Sequence, residues 1–176
     1  MPRQHSHCTY CGNPYDDSLA WPRACEKCGE TTWRNPTPVA LALVPIVMEN
    51  GPTGLLMVRR GIPPQIGELG LPGGFIEEGE SWQQATVREL HEETGLVADV
   101  DEVVHVSTLS APAHVILVFG QVRPRSIADL ASLTPAVVHA LSDGEVTELV
   151  VVDKPRTLAF PLHTIVAEQF FTKPGA

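Results

Sequence analysis

The sequence predicts an α/β layered domain behind a small cysteine-rich unit, and three observations carry that expectation. Apolar segments of strand length are interleaved with one well-bounded helical segment and a closing one. All four cysteines fall within the first 28 residues, in two matched pairs. Between these regions stands Arg34-Asn35-Pro36-Thr37-Pro38, which reads as a linker. A length of 176 residues suits one ordinary domain with a small appendage, and the units expected are residues 1–35 and 36–176. The hydrophobic share of 43% is that of a globular chain, and 14 glycines with 16 prolines imply many turns.

The first unit carries Cys8-x-x-Cys11 and Cys25-x-x-Cys28, thirteen residues apart and each followed by a glycine, Gly12 or Gly29. Four thiolates in two such pairs match a tetrahedral Zn²⁺ site with bonds of about 2.3 Å. The glycines suit the tight turns that aim backbone N–H groups at the sulfurs. Two disulfides or four free thiols are the alternatives, and MPRQHSHC lacks the apolar stretch of an export signal that would favour disulfides. A zinc ribbon is therefore expected. His5 and His7 read as solvated residues rather than replacement ligands, and Trp21 and Trp33 as packing on the ribbon. The unit is too short to bury a core, so metal would supply its folding energy.

Along the second unit, residues 39–48 read as a buried strand, Glu49-Asn50-Gly51-Pro52 as a turn and residues 55–60 as a second strand. Residues 62–74 read as loop. Further strands are expected at 100–109, 115–122 and 146–152, and a closing helix at 163–171. Residues 127–141 show no clear period, with a proline at 135, and their role stays open. The longest apolar run is about half the ~20 residues a membrane span needs, so a soluble, cytoplasmic protein is expected.

The best specified element is a helix over Trp82–Thr94. Ser81 and Gln84 form a capping-box pattern at its start, and Gly95 is placed to end it in a left-handed conformation. At 100° per residue, Glu89, Glu92 and Glu93 share an arc of roughly 100°. Like charges at this spacing cost an isolated helix roughly 0.2–0.5 kcal/mol per pair, and a solvated acidic face is the ordinary explanation. The preceding Leu71-Pro72-Gly73-Gly74 and Glu77, Glu78 and Glu80 suggest another. Hard oxygen ligands at this density suit Mg²⁺ or Mn²⁺, which would supply the missing compensation, and a glycine can present a bare carbonyl to an ion.

The run Gly74-x5-Glu80-x7-Arg88-Glu89-Leu90-x-Glu92-Glu93-x-Gly95-Leu96 resembles the Nudix box at each of its nine fixed positions. The resemblance implies a Nudix-type α/β/α sandwich with a mixed sheet, hydrolysing a nucleoside diphosphate linked to another moiety. With a zinc ribbon in front, the chain is similar to the NADH pyrophosphatase group. The family pattern places metal ligation on Glu89 and Glu93, with the Gly73 carbonyl as a further ligand. Glu92 is a ligand or the base that deprotonates water, and Arg88 holds the acids by ion pairing, where Glu80 could meet it. Relatives add one more glutamate near a late strand. Glu145 is the candidate and Glu148 the second, with an exposed loop acid as the alternative. Arg59 and Arg60 are candidates for substrate phosphate, unless they are ordinary solvated strand-end arginines.

NADH-cleaving relatives carry an aromatic and proline-rich run after the box. Here Ser107-Thr-Leu-Ser-Ala-Pro-Ala-His-Val115 stands in its place, so ADP-ribose or another nucleoside diphosphate derivative is expected as readily as NADH. His114 reads as a strand histidine, and residues 158–163 as the approach to the last helix, bordering the site. The formal charge of −9 argues against a broad nucleic-acid grip. A nucleotide-sensing regulator whose ribbon contacts nucleic acid or protein is the alternative function. Related ribbon-bearing enzymes point to a homodimer.

Overall fold

In the computed structural model, which describes residues 5–49 and 51–172, the chain divides into two compact units, Met1–Pro36 and Thr37–Ala176. The first is built on two near-identical turns. The Gly12 N–H donates to the Cys8 carbonyl at 2.9 Å and the Gly29 N–H to the Cys25 carbonyl at 2.8 Å. Both glycines have positive φ, +72° and +76°, where a side chain would be strained. Strands β1 (Arg23–Ala24) and β2 (Thr31–Thr32) pair antiparallel beside them. Cys8, Tyr15 and Cys25 form a small buried cluster, and the Tyr15 hydroxyl donates to Thr32 Oγ1 at 2.7 Å. Trp21 stacks under the Arg23 guanidinium at 4.6 Å. Trp33, expected to pack on the ribbon, is instead 63% exposed.

The second unit holds two sheets. Strands β3 (Thr37–Leu43), β7 (Gly73–Phe75), β8 (Val104–Ala111) and β9 (Val115–Gln121) form one, in the order β7-β3-β9-β8, with β3 and β9 parallel and the other pairs antiparallel. Strands β4 (Pro45–Val47), β5 (Gly54–Arg60), β6 (Leu69–Gly70), β10 (Arg125–Ser126) and β11 (Val146–Val152) form the other, in the order β10-β4-β5-β11 with β6 also on β5. Helices α1 (Trp82–Thr94), α2 (Pro135–Leu141) and α3 (Pro161–Thr172) complete the unit. Alternation along β3 feeds two cores, as successive strand side chains must. Leu41 and Leu43 pack with Val166, Ala167 and Phe170 of α3, and Ala42 and Val44 with Leu90 of α1. Helices thus cover both faces, the α/β/α arrangement expected.

Five segments depart from the sequence reading, one of them 100–109, where Val100–Glu102 forms a 3₁₀ turn and the strand begins only at Val104. Residues 39–48 are two strands in different sheets. The Leu43 carbonyl accepts from Val122 and the Val44 carbonyl from Leu56, both at 3.0 Å. Pro45, which has no N–H to donate, begins the second strand. The loop at 62–74 contains β6 and the start of β7, each too short to read. Residues 127–141 resolve into a 3₁₀ turn, Ile127–Leu130, and α2, whose Thr134 caps Pro135 at the first helical position. The unit therefore has three helices rather than two. His114 lies in the β8–β9 turn at φ +61°, exposed, with its carbonyl accepting from Thr37 at 2.8 Å, and is not a strand histidine.

Candidate active site

Helix α1 has the ends its sequence specifies. Ser81 and Gln84 bond reciprocally in a capping box, and Gly95 closes the C-terminus at φ +78°. Leu90, Thr86 and Thr94 turn into the unit's interior as an amphipathic face should, and so does Glu93, only 8% exposed. Its Oε2 accepts the Gly73 N–H at 2.8 Å. Gly73 adopts φ +146°, and a Cβ there would overlap the Ala40 carbonyl. At Gly74 a Cβ would fall on the Glu89 carboxylate. The glycine pair thus lets the β7 backbone approach α1 closely enough to bring its acids against main chain.

Arg88 gathers the rest. Its guanidinium donates to Glu80 at 2.7 and 3.2 Å, to Glu89 at 2.8 Å, to Glu92 at 3.0 Å and to the Phe75 carbonyl at 2.9 Å. This arginine, with the Glu77 N–H, holds the Glu80 carboxyl below its ordinary range. Glu89 goes the other way. Burial raises it, Arg88 offsets this in part, and the charges of Glu92 and Glu145 add to the rise. Burial pushes Glu93 up to about 8 despite the Gly73 N–H, and Glu89 and Glu145 repel its charged form. One cation among four acids leaves a deficit concentrated on Glu89 and Glu93.

Arg88, Glu89, Glu92 and Glu93 line a cleft of about 1170 Å³ that also includes Arg60, Glu145, Phe160 and His163. Glu145, exposed, leads into β11, where its carbonyl accepts from Gly61 at 2.7 Å. A Cβ at Gly61 would overlap the Gly144 carbonyl. The two arginines that end β5 part company, as neighbours on a strand do. Arg60 lines the cleft, with Nε donating to the Pro64 carbonyl at 2.8 Å and its guanidinium 5.1 Å from the Phe160 ring. Arg59 is outside the cleft lining and pairs with Glu148 at 2.7 Å. Of the residues the sequence offered for phosphate contact and for the late-strand acid, Arg60 and Glu145 line the cleft, whereas Arg59 and Glu148 do not. Phe160 and His163 sit in the segment to which the sequence assigned no chemistry, because their burial depends on the packing of α3.

Among the described residues, the four cysteines alone bring at least three ligand atoms all within 4.8 Å of one another. Cys8 and Cys28 sulfurs are 3.7 Å apart and those of Cys11 and Cys25 3.6 Å, with all four thiols free. Burial opposes the Cys8 thiolate, but the N–H groups of Cys11 and Tyr10 outweigh it and lower the thiol to about 6. The Glu30 N–H favours the Cys28 thiolate, yet burial and the three other sulfurs push that thiol up to about 12. Four thiolates this close need a cation among them, so the donor set fits a tetrahedral soft-metal site. The α1 glutamates make no comparably closed set, since Arg88 spans two of them. Their oxygen chemistry and uncompensated burial fit a hard cation held open to the cleft.

Residues 37–155 match the family model for the NUDIX domain. An ADP-ribose pyrophosphatase of Methanocaldococcus jannaschii is 44% identical over 52 residues, covering 30% of this chain and 31% of that protein. The NAD-capped RNA hydrolase NudC of Salmonella heidelberg is 32% identical over 95 residues, covering 53% of this chain and 35% of that one. The chain spans about a third of the length of these curated relatives. Among solved structures, a NUDIX hydrolase from Nitrosomonas europaea superposes with a TM-score of 0.64 at 20% identity, over 94% of this chain and 90% of that one. The NUDIX domain of Shewanella oneidensis NrtR complexed with ADP ribose gives 0.54 at 20% identity, over 69% and 75%. At these identities the two structures speak for the fold.

Proposed function

The chain belongs to the NUDIX family, and on that premise we propose that it is a Mg²⁺-dependent hydrolase cleaving the diphosphate linkage of a nucleoside diphosphate derivative, such as ADP-ribose or NAD(H), to two monophosphates. The observation that carries the reading is the pair of under-compensated carboxylates, buried Glu93 and partly buried Glu89, set against Gly73–Gly74 in a cleft of about 1170 Å³. The relatives named for ADP-ribose and NAD-capped RNA support that substrate class.

When bound, Mg²⁺ or Mn²⁺ neutralises charge developing at phosphorus and acidifies water. Glu89 and Glu93 are the residues that would hold it, joined by Glu145 and the main chain at Gly73. Glu92 is the most exposed of the three helix acids, its side chain 53% accessible, which supports assigning to it the proton of an attacking water. Arg88 fixes the spacing of Glu89 and Glu92 by bridging both. Arg60 offers positive charge to the non-reacting phosphate. A structural Zn²⁺ in the Cys8, Cys11, Cys25 and Cys28 cluster holds the first unit together.

The test is incubation with Mg²⁺ and a panel of ADP-ribose, NADH, FAD and dinucleoside polyphosphates, reading released monophosphate. Turnover that needs the divalent ion and falls by orders of magnitude in Glu89→Gln supports the reading. Nucleotide binding without turnover on any member would replace it with a sensor.

A further inference from the structure

The cleft contains one buried polar side chain that the proposed chemistry leaves unused. His163, in the first turn of α3, is 6% exposed and wedged between two aromatic rings, Phe160 at 5.0 Å and Phe119 at 6.0 Å between centroids. Its Nδ1 lies 3.4 Å from the Leu71 backbone nitrogen and must accept that N–H, since a backbone amide can only donate. Acceptance at Nδ1 places the ring proton on Nε2. No described protein atom receives a hydrogen bond from Nε2. It is also absent from the fully buried unpartnered atoms, of which Arg125 Nε is the sole described case. Nε2 is therefore not sealed within the protein, and His163 lines the cleft.

The surroundings define what this donor can meet. The adjoining wall is apolar, with Leu41, Leu117, Phe160 and Leu162. Burial, with the Arg60 charge second, keeps the imidazole neutral by lowering it to about 4. A neutral donor in an aromatic and aliphatic pocket suits the edge of a planar heterocycle better than a phosphate, whose charge would lose its hydration there. We propose that His163 is a specificity-determining residue, its Nε2–H donating to a carbonyl oxygen or ring nitrogen of the substrate's base, whose faces lie against the Phe160 side of the cleft. This rests on the reading of the cleft as a nucleotide site and adds to it the part of the substrate recognised beyond the diphosphate.

The test compares two variants that both lose the bond to Leu71. His163→Phe keeps the aromatic volume and removes the donor, whereas His163→Gln restores an N–H at about the reach of Nε2. The expected result for His163→Phe is a KM for ADP-ribose raised about tenfold, the scale of one neutral hydrogen bond, with kcat within about twofold. His163→Gln recovers at least half of that loss. With a base-free diribosyl diphosphate, wild type and both variants give the same KM. Calorimetric titration with AMP reads the same donor without turnover and should weaken in parallel. Unchanged KM and AMP affinity in His163→Phe would overturn the inference while leaving the hydrolase reading intact. A wild-type protein that neither binds nor cleaves any nucleotide would overturn both.

Discussion

Replacing Glu93 by glutamine in the metal-free protein should stabilise the fold while abolishing its response to Mg²⁺. In the native state this carboxyl titrates at about 8, against an ordinary value of 4.5, chiefly because it is buried. A raised native value means that its contribution to stability is intact below about pH 4.5. That contribution is lost progressively as pH rises toward 8. At pH 7 the chain has crossed 2.5 of those pH units, and at ~1.36 kcal/mol each the loss is about 3 kcal/mol. Glutamine is neutral throughout, and its amide oxygen can still accept the Gly73 N–H. Thermal melts of magnesium-free, zinc-loaded protein from pH 4 to 8 should therefore diverge, Glu93→Gln melting higher by several degrees at pH 7.5 and equal near pH 4. Added Mg²⁺ should raise the wild type alone, releasing about one proton per ion below pH 8, as titrations in buffers of different ionisation enthalpy would show. Parallel melting profiles, or an equal Mg²⁺ response in both proteins, would refute the assignment of an uncompensated acid at Glu93.

Three further outcomes follow from the same geometry. Gly74→Ala places a methyl on the Glu89 carboxylate, so turnover should fall about 100-fold with the circular dichroism unchanged; activity within a few-fold of wild type would show that the close approach is dispensable. Arg88→Met removes one cation from two partly buried acids, Glu80 and Glu89, and from exposed Glu92, and denaturant midpoints should report a loss of about 1–3 kcal/mol, discounted for exposure. Cys11→Ser should lower bound zinc well below one ion per chain and remove hydrogen-exchange protection from residues 5–36 while the larger unit keeps its own; retained zinc would remove Cys11 from the ligand set.

The sequence was most legible where structure is local. The span of α1, both of its caps and the turns after Cys8 and Cys25 depend on residues within four positions of one another, and the sequence names them. β11 was equally readable because five of its seven residues are β-branched. Segments defined by non-local pairing were not. β6 and β7 exist through their bonds to β5 and β3, and the break at Val44 arises because neighbouring carbonyls bond to different sheets. The site divides in the same way. Spacing along a helix was enough to gather Glu89, Glu92, Glu93 and Arg88. Alternation along β5 separates Arg60 from Arg59, but only the pairing of β5 with β11 sets Glu148 aside on Arg59.

What the chain determined by itself is the chemistry on offer: carboxylates at helical intervals behind a glycine pair, and four thiols in two tight turns. These are short-range facts, written in spacing and in the conformational freedom of glycine. Tertiary structure decided how that chemistry is tuned. Burial removes water from Glu93 and His163 alike, pushing the carboxyl toward its protonated form and the imidazole toward its neutral one. That desolvation depends on side chains contributed from distant parts of the chain, so no local pattern could announce it.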